Sequence, residues 1–455
     1  MAGRDPFAHA SRPAVTPNAP NPRALAVEAL VRIDAGAYAH ILVPELLRHH
    51  AFDTGPFEPR DRAFVTELVY GTVRLRRTLD SLLTAVVSRP LDTLDPDVRA
   101  ALRLGTFQLL SGVSPHAAVG ETVGVVSERA RGFANGVLRA LARQGPPWPL
   151  PTGDDVTSIG IRTSHPDWIV RQFIDDLGHD DALATLALDN EAPAVTLRVN
   201  RSRTTTDQVV EELRALGIDV ERGQLADGAL LVRHSGDLSS LDALRAGRVT
   251  PQDQASQAVV AALDPQPGER VLDVASAPGG KASGAAERMR NDGLVVAGDV
   301  HPARVRALRR NVGRGGPTAV VPVVADGRRL PFADQTFDRV LIDAPCTGLG
   351  VLRRRPDARW RVEPRDVAAL ADMQRALLVS AARTVRPGGR LVYSVCTFTK
   401  IETLAVDAFA ESELAQFVAV PPPAEPWRRH GRGALLVPSA ARTDGMYILV
   451  LERSR

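Results

Sequence analysis

The sequence predicts a multi-domain chain: an all-helical N-terminal part, a small α+β middle segment and a C-terminal α/β part built on a parallel sheet. Three observations predict it. Apolar residues recur at helical spacing through 21–145. A Pro- and Gly-rich stretch, GPPWPLPTGDD at 145–155, then breaks the pattern. From about residue 255 short apolar runs alternate with helical patterns, the rhythm of a parallel sheet covered by helices. A length of 455 residues suits about three domains at ~150 residues each.

Residues 1–20, rich in Pro and Ala, read as a disordered tail and lack the apolar core of a signal peptide. Asn21 is placed to cap a first helix, with Pro22 at its first position and an end near Gly36. RDRAFVTELVYGTVRLRRTLDSLLTAVV, DPDVRAALRLGTFQLLSG and AVGETVGVVSERARGFANGVLRALAR continue the helical part to 145. Arg74, Arg76 and Arg77 are candidates for phosphate contact, though a solvated helix face explains them as well. Residues 146–159 read as a linker. In 160–250, TLRVN is a strand and Thr205 with Gln208 makes a capping box. A helix carrying Val209, Val210, Leu213 and Leu216 follows and stops at Gly217, and DVERG and ALLVRH are strands. This βαββ pattern suits an RNA-binding module or a spacer. The C-terminal part, 251–455, holds the strands RVLDVAS, GLVVAGDV, AVVPVVAD, DRVLIDAP and GRLVYSVC, and a closing hairpin, ALLVPSAARTDGMYILVLE.

No run reaches the ~18 apolar residues of a membrane helix. Two cysteines make neither a disulfide framework nor a four-cysteine metal site, so the expected setting is the reducing cytoplasm. No metal is expected, and the chain is expected to be a monomer. A Cys346–Cys396 disulfide stays formally open. The net charge is +3, and 54 arginines stand against two lysines. Codon bias accounts for most of that excess, which is also compatible with nucleic-acid binding. Where any positive charge suffices the sequence writes Arg, so Lys281 and Lys400 mark places that need a compact ammonium on a slim stem.

Ligands of an open parallel sheet bind at the carboxyl ends of its strands. Here the first strand leads into Ala275-Ser276-Ala277-Pro278-Gly279-Gly280-Lys281, whose paired glycines admit a ligand close to the backbone. The second strand ends at Asp299, which follows Asp273 at roughly the spacing where an acid catches ribose hydroxyls. The third and fourth end at Asp326 and Asp343. One such acid would be an ordinary loop residue; a series at successive strand ends is a site. The loop lacks GxGxxG, which argues against a nicotinamide dinucleotide. A ligand with ribose and adenine but no pyrophosphate fits, and S-adenosylmethionine is that ligand.

Cys346, in DAPC, and Cys396, in SVCT, close the fourth and fifth strands. Neighbouring strand ends would bring both thiols to one mouth. Carbon 5 of cytosine is a poor nucleophile, and a thiolate adding to carbon 6 turns it into an enamine that attacks a methyl sulfonium. Asp343 is placed to stabilise the adduct near ring nitrogen 3, and a base must then remove the carbon 5 proton. Lys281 would lower a thiol pKa or orient Asp343. Lys400 would do likewise or hold a phosphate.

DAPCTGLGVLRRRPDARWR, VLDVASAPGGKA and VYSVCT, with TPQDQASQAVV upstream and TDGMYILVLE at the close, resemble the Sun (Fmu), or RsmB-type, family of bacterial 16S rRNA cytosine-5 methyltransferases. FVTELVYGTVR and FANGVLRALAR, within 21–145, resemble the NusB-like RNA-binding domain carried by its small-subunit members. The resemblance implies a Rossmann-like methyltransferase domain and a ribosomal RNA substrate. It implies that Cys396 is the nucleophile and that Cys346 serves product release. It puts methyl-donor binding on Ala275–Lys281, Asp299, Asp326 and Asp343. The chain departs from the family pattern at Ala275, where cysteine is usual, and at Lys400-Ile401-Glu402-Thr403, where Glu-Asn-Glu is usual.

RRRPDARWR at 353–361 follows the DAPC strand, and Arg353, Arg354, Arg355, Arg359 and Trp360 suit phosphate contact and base stacking. The target base would have to leave its stack to meet a thiol. Two other readings remain at this point. A DNA cytosine-5 methyltransferase would use Cys346 as nucleophile, against which stand the NusB-like part and the second thiol. An RNA-binding assembly or antitermination factor with an inactive α/β domain has the intact acids and both cysteines against it.

Overall fold

The structure, a computed structural model, describes residues 21–53, 57–233, 241–315 and 317–455. The expected tail at 1–20 lies outside the described residues. The chain divides into two compact units. One comprises residues up to Thr72 with Val86–Gly145, and the other Val73–Ala85 with Pro146–Arg455.

The first stretch is helical as expected: α1 (Pro22–Asp34), α2 (Ala39–Asp53), α3 (Pro59–Arg74), α4 (Arg76–Thr84), α5 (Pro96–Leu110), α6 (Pro115–Gly124) and α7 (Glu128–Gln144). Asn21 caps α1 by accepting from the N–H groups of Arg23 and Ala24. Within the first unit α5 is buried nearly all round, so it reads as apolar on every face. Gly105 lets α7 approach it, since a Cβ there would sit 2.7 Å from Leu138. The stretch RDRAFVTELVYGTVRLRRTLDSLLTAVV holds two helices, parted at Leu75, and α4 belongs to the second unit.

The expected linker at 146–159 already contains the start of α8 (Val156–Thr163), capped by Asp155. α9 (Asp167–Leu177) and α10 (His179–Leu188) follow. These three helices are not part of a βαββ module. Their Ile159, Ile169, Phe173 and Leu186 join one core cluster of the large C-terminal sheet.

The middle sheet comes next: β1 (Val195–Val199), α11 (Thr206–Ala215), β2 (Asp219–Arg222), β3 (Ala229–Arg233), α12 (Asp242–Arg245) and β4 (Val249–Pro251). Its order is β2-β3-β1-β4, with antiparallel pairs throughout. The Thr205–Gln208 capping box opens α11 as the sequence predicts. Arg198 on β1 fastens this sheet to its neighbour below.

The C-terminal part begins with α13 (Gln254–Leu263), β5 (Arg270–Asp273), α14 (Gly280–Arg288), β6 (Leu294–Asp299), α15 (Pro302–Gly315), β7 (Val320–Val324) and β8 (Phe337–Asp343). It continues with α16 (Pro364–Ala382), β9 (Val385–Val395), α17 (Leu404–Glu413), β10 (Phe417–Ala419), β11 (Arg428–His430), β12 (Gly433–Leu436), α18 (Pro438–Ala441) and β13 (Met446–Arg453). The sheet order is β7-β6-β5-β8-β9-β13-β12-β11, with β10 also on β13. Pairs from β7 to β9 are parallel and β9–β13 is antiparallel. Successive strand residues enter opposite cores: Leu272 and Ile342 point to one face, Val271 and Leu341 to the other. Burial on both faces is why these strands read as unbroken apolar runs. The chain runs outward from β5 to β7, then returns to β8 on the other side, so a switch point lies between β5 and β8.

The arginines expected to touch RNA mostly do not face solvent. Arg359 is fully buried and donates to the carbonyls of Arg74 (3.0 Å), Ser164 (3.2 Å) and Asp189 (2.6 Å) and to Asn190 Oδ1 (2.8 Å). Arg353 donates to the carbonyls of Glu191, Ala192 and Arg442. Arg354 pairs with Asp253 at 2.7 Å and Asp444 at 2.8 Å. Trp360 donates its indole N–H to Val73 O at 2.8 Å, with Arg76 over its ring. Arg74 donates to Arg353 O, and Arg77 pairs with Asp167 at 2.6 Å. The assignment of Arg353, Arg354, Arg359 and Trp360 to RNA, and of Arg74 and Arg77 to phosphate or a solvated face, is therefore corrected. These groups direct donors to carbonyls and acids that would otherwise be buried unpaired. They tie α4 and the loops around α8–α10 to the segment after β8. Arg355 alone of that run is exposed.

Burial drives Arg359 down to about 9 and Asp189 up to about 7, and pushes the buried His165 well below its usual value. Removing the guanidinium would leave Asp189 without its compensating charge. Arg359→Met is expected to cost about 3–5 kcal/mol in urea unfolding, whereas Arg355→Met stays within about 0.5 kcal/mol. Equal costs for the two would contradict this account of the buried arginine.

Candidate active site

Each half of the site is a strand end. Asp343 closes β8 and Ser394 lies opposite it on β9, and this parallel register sets the loops that follow side by side. Cys346 and Cys396 meet there as free thiols, Sγ to Sγ 3.3 Å. Gly350 holds the two loops together. Its N–H donates to Cys396 O at 2.9 Å, and a Cβ on it would lie 2.5 Å from Gly445 O. That close approach explains the second glycine of CTGLG. The bond to Cys396, and then burial, push the Cys346 thiol well above its usual value.

Lys281, in the first turn of α14, places Nζ 2.6 Å from Asp343 Oδ2 and 3.4 Å from Ser256 Oγ. Its side chain is only 12% exposed. Burial works against its charge, but the Asp343 carboxylate outweighs burial and the ammonium titrates above its ordinary value. Ser394 Oγ donates to the other Asp343 oxygen at 3.0 Å. Lys281, expected either to lower a thiol pKa or to orient Asp343, is thus in direct contact with Asp343.

Ala275–Lys281 forms the loop after β5 and the first residues of α14, beside the switch point. Ser276 N–H donates to Gly298 O at 2.7 Å, which ties the loop to β6. Gly279 adopts φ 103°, open to glycine alone without strain. Arg304 and Asn311 donate to the carbonyls of Ala277 and Pro278, so α15 braces the loop from outside. Arg198 underpins α14 by donating to Glu287 through two nitrogens, at 3.0 and 2.8 Å, and to Gly280 O at 2.7 Å.

Four buried polar atoms beside this loop have no hydrogen-bond partner: both carboxylate oxygens of Asp273, Ser276 Oγ and Asp299 Oδ2. Asp299 uses its other oxygen on His301 N–H at 2.9 Å, and the Arg304 guanidinium lies 3.4 Å from Oδ2. Burial drives Asp273 up to about 7. Buried polar atoms are rarely left unpaired unless a ligand completes them. A donor with an ammonium group and ribose hydroxyls supplies the missing partners, so the residues present fit S-adenosylmethionine. Asp273 was missed as a site residue in the sequence, where it served only as a spacing mark. Its signal was present, since it ends the first strand of the sheet just as Asp299 and Asp343 end theirs. Asp326 follows β7, accepts from Arg328 N–H and pairs with the Arg328 guanidinium at 2.8 Å, which holds its carboxyl below the usual range.

Lys400 does not join the thiols. It is half exposed and donates to Asp175 O at 2.5 Å, with Asp176 at 4.0 Å. The expectation that it supports a thiol is corrected, since its ammonium is held by α9. Among the described residues no group of three or more His, Cys, Asp or Glu could hold a metal ion, and no helix is long and apolar enough to cross a membrane.

Comparison with known proteins follows the same division. Residues 260–452 match the model of the 16S rRNA methyltransferase RsmB/F, residues 20–143 that of the NusB family, and residues 165–239 that of the ferredoxin-like domain of RsmF/B-like methyltransferases. A Bacillus subtilis protein named "Probable ribosomal RNA small subunit methyltransferase B" is 34% identical over 447 residues, 95% of this chain and 98% of its own. The "Ribosomal RNA small subunit methyltransferase B" of Pseudomonas syringae is 33% identical, covering 94% of this chain and 96% of its own. The crystal structure of PH0851 superposes with a TM-score of 0.80 at 26% identity, covering 96% of this chain and 99% of that one. With a helical NusB part, a ferredoxin-like sheet and a Rossmann-like catalytic part in this order, the chain belongs to the RsmB/F family of 16S rRNA methyltransferases.

Proposed function

We propose that this protein methylates carbon 5 of a specific cytosine in 16S rRNA, using S-adenosylmethionine and a covalent adduct between Cys396 and carbon 6. The observation that carries the reading is the pair of thiols 3.3 Å apart beside a Lys281–Asp343 pair, at the end of the sheet where Asp273 lies buried with neither carboxylate oxygen hydrogen-bonded. One adjacent thiol would suffice for other chemistry. A second thiol in contact with the first answers a specific need, because a carbon 5 adduct must lose a proton before the nucleophile can leave.

The donor supplies an electrophilic methyl group on sulfonium sulfur. Asp273, Ser276 and Asp299 would hold it through the atoms now unpartnered, with Ala275, Ala277, Pro278, Gly279 and Gly280 giving close backbone approach and Asp326 at the edge of the site. Cys396 gives its sulfur electrons to carbon 6. Asp343, oriented by Lys281 and Ser394, accepts from the amino group and, in its protonated form, donates to ring nitrogen 3 as negative charge develops there. Cys346 has the role the resemblance implies, in product release: once its own proton is given up, its sulfur takes the carbon 5 proton, the carbon 5–carbon 6 double bond re-forms and the Cys396 sulfur departs as the leaving thiolate.

The names of the two relatives support ribosomal RNA as substrate over DNA. We assign RNA recruitment to the NusB-like part, 21–145, and methyl transfer to 251–455. Residues 146–159 join the two, and 160–250 contribute an RNA-binding or spacer element. Arg355 is the remaining RNA-contact candidate of its run. The protein would work as a cytoplasmic monomer without a metal.

Cys396→Ala is expected to lower methyl incorporation into 16S rRNA by about 10⁴-fold or more. Cys346→Ala is expected instead to accumulate a protein–RNA adduct that survives denaturing gels. An adduct with Cys396→Ala and none with Cys346→Ala would reverse the two roles. Bisulfite sequencing of 16S rRNA from cells with and without the gene reads the modified position. Asp273 bears on the donor alone. Its carboxyl is raised, so its charged form appears only as pH climbs through about 7. Donor affinity, measured calorimetrically, is therefore expected to strengthen from pH 6 to 8, by up to about tenfold per unit below that value. Asp273→Asn should bind more weakly and lose the slope; an unchanged slope would remove Asp273 from the donor site.

A further inference from the structure

Beneath the thiols lies a carboxylate that the proposed chemistry leaves unused. Glu402 is fully buried. Its Oε1 accepts from Thr347 N–H at 2.9 Å and Gln374 Nε2 at 3.0 Å. Its Oε2 accepts from Thr347 Oγ1 at 2.6 Å and Thr399 Oγ1 at 2.8 Å. Lys and Arg side chains take no part in these four bonds, so the acceptor is satisfied by neutral donors alone. Thr347 directly follows Cys346, and Thr399 lies three positions beyond Cys396. With its proton committed to Glu402, the Thr347 hydroxyl must accept from Thr397 Oγ1 at 2.9 Å, and Thr397 directly follows Cys396. Gln374 also donates to Pro345 O at 2.9 Å, just before Cys346. Tyr393 donates to both Gln374 Oε1 and Glu402 O, which fixes the far side of the network.

We propose that Glu402 is a positioning residue that holds the two thiols in register. It rests on the reading of Cys396 and Cys346 as working thiols given above, but its geometry does not. One carboxylate collects hydrogen bonds from both cysteine loops, so the loops cannot separate without leaving it buried and under-satisfied. Glutamine cannot substitute, because it offers one acceptor oxygen and turns the other position into a donor facing donors. Lys400-Ile401-Glu402-Thr403 departs from the family pattern, yet it keeps the one group this network requires.

The test uses the full-length protein, in which these are the sole cysteines. Diamide takes up the two thiol hydrogens as the sulfurs join, and intact mass follows the loss of both hydrogens. The wild type is expected to close rapidly. Glu402→Gln and Thr347→Val should close about tenfold or more slowly, and their kcat for RNA methylation should fall about 10²-fold while KM for RNA and donor stays within about twofold. Thr347→Ser, which keeps the hydroxyl, should restore both. A variant in the separate core of the middle sheet, Leu213→Ala, should lower the melting temperature without slowing closure, which separates positioning from general loosening. Should Glu402→Gln fail to fold, Thr347→Val and Thr399→Val carry the test. Wild-type closure rates in Glu402→Gln, or in both threonine variants, would overturn the proposal. An absence of methylation by the wild type would instead fault the functional reading, while closure rates still decide on Glu402.

Discussion

The site depends on the register between two parallel strands. β8 and β9 pair so that Asp343 faces Ser394, and each then turns into a loop bearing one cysteine. Slipping a strand by one residue would turn every side chain to the opposite face, which the two apolar cores of this sheet forbid. The same burial that makes the strands apolar thus fixes the sulfurs at 3.3 Å. Lys281 opens α14, the helix that follows β5, and the parallel pairing of β5 with β8 brings it to Asp343. Backbone pairing does the aligning, and the side chains add only the last ångström.

Around that centre the arginines are structural. A guanidinium presents donors in a planar fork, which suits it to gather carbonyl groups at loop junctions. Arg359, Arg353 and Arg354 do this after β8, and Arg198 does it between the middle sheet and α14. Each lies where an irregular segment leaves carbonyls or acids without partners. Electrostatic attraction to RNA must therefore come from other, exposed residues.

Much of this was legible in the sequence. Caps at Asn21 and Thr205, the parallel strands and the meeting of Cys346 with Cys396 follow from local pattern and from strand ends falling at one sheet edge. The arginine run was misread because exposure is a tertiary property. RRRPDARWR carries no local sign that carbonyls from distant segments converge on it. The helices α8–α10 were folded into a linker and a βαββ segment because their partner is the large sheet, far along the chain. Lys400 looked like a site residue by its proximity to Cys396 in sequence, yet the turn points it at α9. Asp273 was overlooked because an acid inside VLDVAS looks like a strand residue until its carboxylate is seen buried without a partner.

The covalent step is the claim on which the account turns, and one measurement addresses it directly. An RNA substrate carrying 5-fluorocytosine at the target cannot give up a proton from carbon 5, so an adduct once methylated cannot resolve. Incubated with the wild-type protein and S-adenosylmethionine, digested and analysed by peptide mass spectrometry, it should leave the methylated fluoropyrimidine on the peptide containing Cys396. Finding it on the peptide containing Cys346, or finding no adduct while ordinary RNA is methylated, would contradict the account.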